Sequence, residues 1–165
     1  MSFFETTRKL STAEEMLAKS VFKTFLPYTK ILIGDDTGMG GAPWTQHYGG
    51  IFTLHMGAVA YADCTSSRWA PGVGTIRNTF IHELTHVWQG HHSWALGMYQ
   101  LQSLGAQAQA ILRTGDRNTA YTYTAGAAWD SYNVEQQAGI VEDWFKGGMS
   151  STSPLFPYVR DHIRK

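Results

Sequence analysis

The residues from 82 to 86 have the types and the spacing of a metal-binding motif. They read His-Glu-Leu-Thr-His, so that His82 and His86 lie four residues apart. On a helix this spacing places both imidazoles on one face, where they can bind a single ion. Neutral imidazole is a preferred ligand of zinc, and a catalytic zinc site combines three protein ligands with one open position for water. We therefore predict a Zn²⁺ site with two histidine ligands and a third ligand elsewhere in the chain.

Glu83 is the predicted general base. It follows His82 directly, so its side chain is rotated by about 100° around the helix axis. This rotation places Glu83 beside the water rather than on the metal, in a position to accept the proton of that water. A purely structural zinc site needs ligands but no base. The motif therefore indicates a zinc-dependent hydrolase.

The third ligand is predicted among the acids downstream of the motif. These acids are Asp116, Asp130, Glu135, Glu142, Asp143 and Asp161. We choose Glu135, with Glu142 as the alternative, because both lie on one face of a predicted helix and Gly139 leaves a gap between them. Glu142 or Asp143 could instead accept the second N–H group of a ligand histidine and so fix its orientation. Spacing alone does not rank these roles.

Peptide hydrolysis also needs a donor that stabilises the developing oxyanion. Tyr132, one turn before Glu135, is the predicted donor. The other candidates are His91, His92, Tyr121 and Tyr123. For each of them a role in packing or at the surface is the competing interpretation.

Two predicted helices carry the metal ligands. The first, at 76–89, has an apolar side formed by Ile76, Phe80, Leu84, Val87 and Trp88, and its histidines lie on the polar side. The second, at 132–146, has apolar residues at helical intervals and stops at Gly147 and Gly148. The remaining predicted elements are a helix at 12–26, strands at 30–34 and 50–55 around a glycine-rich turn at 38–43, a helix at 98–112, and a short strand or hairpin at Tyr121 and Tyr123. Thr12 and Glu15 have the spacing of a capping box at the start of the first helix.

Composition limits the classes of protein to which the chain could belong. Its 165 residues suit a single domain, 1–165, that buries a core without disulfides, and Cys64 is the only cysteine. The charges balance at 13 basic and 13 acidic residues, so we expect neither nucleic acid nor an anionic membrane as a partner. We also expect a soluble protein without a membrane span or a cleaved signal peptide.

The segments TFIHELTHVWQGHHS (79–93) and WDSYNVEQQAGIVEDWF (129–145) resemble the metallopeptidase effector domains attached to VgrG spike proteins of bacterial type VI secretion systems, and the related domains of Rhs-type toxins. The resemblance implies an α+β, zincin-like fold of the gluzincin kind, in which a small β-sheet packs on an active-site helix and a C-terminal helix supplies a ligand. It implies zinc ligands at His82, His86 and Glu135, and a catalytic glutamate at Glu83.

The same resemblance implies an antibacterial toxin. Such a protein would be secreted by a route that is independent of signal peptides, as a free-standing effector or as part of a spike protein, and would act in the periplasm of a target bacterium. A secretion-spike component and an immunity protein in the producer are the implied partners.

Three functions remain open. The first is a peptidase acting on protein or peptide. The second is a zinc amidase that cleaves peptidoglycan, because the same metal chemistry attacks either bond. The third is a non-catalytic zinc module for stability or docking, against which the presence of Glu83 counts.

Overall fold

The computed structural model describes residues 6–38, 41–92 and 122–165. The predicted helix at 98–112, Tyr121 and Asp116 lie outside this part of the chain. The described strands and helices are β1 (Thr7–Lys9), α1 (Thr12–Phe22), β2 (Ile31–Gly34), β3 (Trp44–Tyr48), β4 (Ile51–His55), α2 (Ala58–Ala62), β5 (Trp69–Ala70), β6 (Gly74–Thr75), α3 (Ile76–His92), α4 (Val134–Lys146) and α5 (Phe156–Tyr158). Short 3₁₀ turns lie at Tyr28–Lys30 and Trp129–Ser131, and a π-helical turn at Val159–Ile163 follows α5.

A four-stranded sheet has the order β1-β2-β4-β3. The two predicted strands are confirmed as β2 and β4, and they pair in parallel at the centre of the sheet. The outer strands β1 and β3 pair antiparallel with them. Within the described residues β3 pairs only with β4, so it forms an edge of the sheet.

Strand β3 was not predicted from the sequence. It forms a hairpin with β4 through Gly49 and Gly50, whose φ angles are 59° and 81°. Two adjacent residues with positive φ make the tight turn that matches the twist of paired strands, and glycine adopts it without strain. The Gly-Gly pair was the available sequence signal for this hairpin.

The sheet and α3 share one apolar core. The predicted apolar side of α3 is buried at Ile76, Phe80, Leu84 and Val87, and Trp88 is partly buried. Glu83 and Gln89, which lie outside that apolar side, are also buried, with 5% and 6% of their surface exposed. The polar side of α3 is covered because α3 packs closely against α4. The helix also continues three residues past its predicted end, to His92.

Helix α1 is shorter than the predicted range 12–26. It ends at Phe22, because Lys23 has a positive φ of 55° that does not continue a helix. Its capping box is formed by Ser11 and Glu14, one residue before the predicted pair. Glu14 is fully buried, so its carboxylate caps the helix from within the core rather than from solvent.

Helix α4 begins at Val134, two residues after its predicted start. Asn133 caps it: the side chain of Asn133 accepts from the backbone N–H of Gln136, and the side chain of Gln136 accepts from the N–H of Asn133. The predicted stop at Gly147 is confirmed, and the N–H of Gly147 donates to the carbonyl of Asp143. The capped start matters for the site because Glu135 lies in the first turn.

The end of the chain closes over the core. Arg164 donates to the carbonyls of Val21 and Ser20, and Val159 and Ile163 are fully buried. Among the described residues no helix combines the length and the apolar character needed to cross a membrane. The described elements are mixed α and β, while the zincin-like classification and the single-domain boundary stay predictions.

Buried Glu14 supports a first prediction. Its carboxylate accepts two hydrogen bonds from Arg8 at 2.7 Å and one each from the N–H groups of Ser11 and Cys64. Burial by itself raises the pKa of Glu14, but these hydrogen bonds outweigh it and lower the pKa from 4.5 to about 2. We expect Glu14→Gln to lower the free energy of unfolding by about 2–4 kcal/mol, because Arg8 loses its buried partner. Urea denaturation at neutral pH measures this.

The pH dependence has a definite sign. A carboxyl whose pKa is lowered by folding stabilises the protein above its unfolded pKa, and this contribution disappears as the pH falls from about 4.5 towards 2. The difference between wild type and Glu14→Gln should therefore shrink over that range. Glu15, the next residue in α1, is only partly buried and pairs with Lys19 at the surface. It is the matched control, and Glu15→Gln should change stability by less than about 1 kcal/mol. Equal losses in the two variants would contradict the role of Glu14.

Candidate metal centre

Three predicted ligands converge at the interface of α3 and α4. Nε2 of His82 lies 3.1 Å from Oε2 of Glu135, and Nε2 of His86 lies 3.5 Å from the same oxygen. All three ligand atoms lie within 4.8 Å of one another. Ligands about 2.0–2.1 Å from a tetrahedral zinc ion stand roughly 3.3–3.4 Å apart. The spacing of the three side chains therefore fits one small ion.

Two local features bring these atoms together. The four-residue spacing on α3 puts both imidazoles on the face that packs against α4. The Asn133 cap fixes where α4 begins, and this sets the direction in which Glu135 leaves its first turn. The interface buries the three side chains, which are only 11–14% exposed.

The other nitrogen of each imidazole has its own acceptor. Nδ1 of His82 lies 3.0 Å from Oε2 of Glu142, and Nδ1 of His86 lies 2.8 Å from Oε1 of Gln89. An acceptor at Nδ1 holds the proton there and leaves the lone pair of Nε2 for a metal. Between the two acids left open by the sequence, Glu135 lies with the ligand nitrogens and Glu142 lies behind His82. Asp143 instead accepts a hydrogen bond from Tyr123 at 2.8 Å.

The electrostatics of the cluster favour positive charge. Burial lowers the pKa of both imidazoles, but the carboxylates outweigh it. Hydrogen bonds to Glu135 and Glu142 raise the pKa of His82 well above its ordinary value, and the charge of Glu135 raises the pKa of His86. Burial by itself raises the pKa of Glu135, but the two imidazoles hold it far below its usual range. A divalent cation would supply this positive charge and displace any proton on Nε2, while Nδ1 keeps its own.

Glu83 lies next to the cluster and contacts the edge of the sheet. The hydroxyl of Thr45, a buried residue in β3, donates to Oε2 of Glu83 at 2.7 Å. The same hydroxyl lies 3.1 Å from the backbone carbonyl of Glu83. One oxygen of the predicted base is therefore held in a fixed direction. Sequence reasoning missed Thr45 because it missed the strand on which Thr45 lies.

Tyr132 does not have a free hydroxyl in this conformation. Its O–H donates to the carbonyl of Thr124 at 2.6 Å and accepts from the N–H of Ala127 at 3.1 Å. The hydroxyl of Tyr158, 3.2 Å away, donates to the carbonyl of Ala127. With its proton used in this network, Tyr132 has none to offer an oxyanion, so its contacts favour the packing role.

The other predicted donors have different surroundings. His91 and His92 are exposed at the end of α3, and Nδ1 of His92 lies 2.9 Å from the carbonyl of Trp88. Tyr123 donates to Asp143, as described above, and lies in no strand.

Comparison with known proteins gives a related protein and a shared fold. No family model matches the sequence. The chain is 32% identical, over 146 residues, to the type VI secretion system spike protein VgrG2b of Pseudomonas aeruginosa, and the match covers 86% of this chain. The chain spans 13% of the length of that protein. Its structure superposes on the effector domain of Pseudomonas aeruginosa VgrG2b with a TM-score of 0.56 at 24% identity, covering 94% of this chain and 81% of the domain.

The chain is thus related to VgrG2b and shares the fold of its effector domain. The predicted relationship to effector domains attached to VgrG proteins is confirmed at this level. The metallopeptidase part of that resemblance, and with it the zinc ion, stays a prediction.

The geometry predicts a graded loss of zinc affinity. Glu135→Ala removes a ligand, whereas Glu142→Gln keeps an acceptor for His82 but loses its charge. We expect Glu142→Gln to weaken zinc binding by about 10-fold and Glu135→Ala to weaken it more than the 10–100-fold typical of outer partners. Competition with a chromophoric zinc chelator measures both affinities, and circular dichroism checks the fold.

The matched control is Asp143→Asn. Asp143 follows Glu142 directly but contacts Tyr123 and not a histidine, so its substitution should leave zinc affinity unchanged. A wild-type affinity in Glu135→Ala, or an equal loss in Asp143→Asn, would contradict the ligand assignment.

Proposed function

We propose that this chain is a zinc-dependent peptidase that acts as an effector of a bacterial type VI secretion system. The observation that carries the proposal is the convergence of His82, His86 and Glu135 on one point, with the charge of Glu83 near enough to act on both imidazoles. Two imidazoles and one carboxylate form a donor set that suits zinc, whereas calcium and magnesium prefer oxygen ligands alone. Three ligands also leave the open fourth position that a catalytic site requires.

A bound zinc ion would supply Lewis acidity to both the attacking water and the scissile carbonyl. The chain itself would move the protons. Glu83 accepts a proton from the water as the water oxygen attacks the carbonyl carbon, and it delivers that proton to the amine nitrogen as the carbon–nitrogen bond breaks. Thr45 holds Oε2 of Glu83, so the other carboxylate oxygen is the one available to the water.

The edge of the sheet supports a peptide as the substrate. Thr45 in β3 contacts Glu83, and within the described residues β3 pairs on one side only. A strand edge offers N–H and C=O groups that can pair with an extended peptide. A peptide bound in this way would run past the general base.

The effector role is supported by the relationship to VgrG2b, a spike protein of a type VI secretion system. We propose that the protein reaches a target bacterium with the secretion spike, without a signal peptide, and acts in the periplasm. An immunity protein would then protect the producer.

The general-base role predicts the behaviour of Glu83→Gln. The amide cannot take a proton from water, so we expect turnover to fall by about 10²–10⁴-fold, the usual contribution of general acid–base catalysis. Zinc affinity and fold should stay close to wild type because Glu83 is not a ligand. Hydrolysis of casein and of purified sacculi, measured side by side with zinc content, tests this, with Glu15→Gln as a surface control.

Several outcomes would count against the proposal. Full activity in Glu83→Gln would remove the base assignment. Cleavage of sacculi but not of casein would favour the amidase over the peptidase. Loss of folding on chelation, with no activity on either substrate, would favour a non-catalytic zinc module.

Thr45 supports a separate prediction about the orientation of the base. A hydrogen bond to a charged group contributes about 1.5–3 kcal/mol, so we expect Thr45→Val to lower kcat by at least about 10-fold. Zinc affinity should not change, because the hydroxyl of Thr45 contacts Glu83 and none of the three predicted ligands. Thr45→Ser keeps the hydroxyl and should restore most of the activity. Full activity in Thr45→Val, or a loss in Thr45→Ser as large as that in Thr45→Val, would contradict the role of the hydroxyl.

A further inference from the structure

Gln89 is a buried polar residue behind the predicted metal ligand His86. It lies in the last turns of α3 and is 6% exposed. Its amide oxygen, Oε1, lies 2.8 Å from Nδ1 of His86. Its amide nitrogen, Nε2, donates to the carbonyl of Val134 at 2.9 Å and to Oε1 of Gln137 at 3.0 Å. Gln89 therefore links a residue of α3 to the first turns of α4.

The direction of this hydrogen-bond chain is fixed by the backbone. Main-chain carbonyls can only accept hydrogen bonds. The carbonyl of Val134 therefore requires the NH₂ group of Gln89 to face it. The carbonyl of Trp129 likewise receives Nε2 of Gln137 at 3.2 Å, which turns the oxygen of Gln137 towards Gln89. Both hydrogens of the Gln89 amide are thereby used, and its oxygen must face His86.

The orientation of the Gln89 amide determines which nitrogen of His86 carries a proton. An amide oxygen only accepts hydrogen bonds, so Nδ1 of His86 must carry a proton to bond with it. In the neutral ring the lone pair then lies on Nε2, the nitrogen that is 3.5 Å from Oε2 of Glu135. The carboxylate of Glu142 has the corresponding place behind His82. The two ligand histidines thus have different acceptors at Nδ1. His82 has the carboxylate of Glu142, whereas His86 has the neutral amide of Gln89, which is itself bonded to α4.

We infer that Gln89 is a positioning residue for the metal, an inference that rests on the proposed function. It selects the tautomer of His86 that offers Nε2 to the ion, and it ties that ring to the turn of α4 that carries Glu135. The bond to Val134 places this anchor one residue before Glu135. Gln89 therefore holds ligands from both helices in register.

A purely structural role, a bond between two helices, is the alternative. Two variants separate the roles. Gln89→Met has similar length but neither donates nor accepts at the His86 position. Gln89→Glu keeps an acceptor for Nδ1 but loses the donor to Val134. If Gln89 positions His86, the first variant should weaken zinc binding by about 10–100-fold. The second should lose less, because it keeps the acceptor at Nδ1 and loses only the bond to Val134, although both are less stable without metal.

The readouts are zinc affinity by chelator competition, the urea midpoint of the metal-free protein, and the Nδ1–H signal of His86 in the proton NMR spectrum of the zinc-loaded protein. That proton should be protected from exchange with water in the wild type and in Gln89→Glu, and exposed to exchange in Gln89→Met. A purely structural role would change the urea midpoint of the metal-free protein without this difference in proton exchange between the variants. Gln46→Met is the matched control, because the amide oxygen of Gln46 lies 3.2 Å from Nε2 of His55, which is not a predicted ligand, and Gln46 contacts neither ligand histidine.

The outcomes decide the inference. Unchanged zinc affinity in Gln89→Met, or an equal loss in Gln46→Met or in Gln89→Glu, overturns it. If the substituted proteins do not fold, exchange of the His86 Nδ1–H in the zinc-loaded wild type is the test. Rapid exchange of this proton overturns the inference, and protection from exchange supports it. A wild type that binds zinc with this protected proton but cleaves no peptide would refute the proposed function and leave the positioning role intact. A wild type that does not bind zinc would refute both.

Discussion

Two imidazoles and a carboxylate are buried together between α3 and α4, and this is costly unless each polar atom has a partner. Much of the described structure supplies those partners. Glu142 and Gln89 accept from the outer nitrogens of the histidines, and Glu135 meets the inner ones. The caps, the helix packing and the polar network around the site all follow from the need to bury charge in matched pairs.

The site could be predicted from sequence wherever its geometry is local. The four-residue spacing of His82 and His86 fixes their common face, and the choice of Glu135 followed from a helical pattern that the structure confirms. Thr45 could not be predicted in this way because it contacts Glu83 from another element. Gln89 lies on the same helix as His86, but its orientation depends on Val134 and Gln137 in α4. The capping box of α1 lies one residue before the predicted pair, since Thr12 and Glu15 have the same spacing as Ser11 and Glu14 and only the backbone conformation distinguishes them.

The relationship to VgrG2b and the geometry of the site contribute different parts of the functional proposal. The first connects the chain with a secretion spike and with the fold of an effector domain. The relationship to VgrG2b does not identify a reaction. The geometry of the site indicates a reaction type through its donor set and the neighbouring Glu83, but it says nothing of the biological setting. The proposal of a secreted peptidase needs both.

The predicted ligands come from distant parts of the chain, because His82 and Glu135 are separated by 53 positions. A bound ion would therefore close a large loop and act as a reversible cross-link between α3 and α4. Cross-links of this kind restrict the unfolded chain, and a ligand that binds only the folded state raises stability with its concentration. The supply of metal would then affect the lifetime of the protein as well as its chemistry. The metal-free protein would unfold more often and would be degraded faster by proteases.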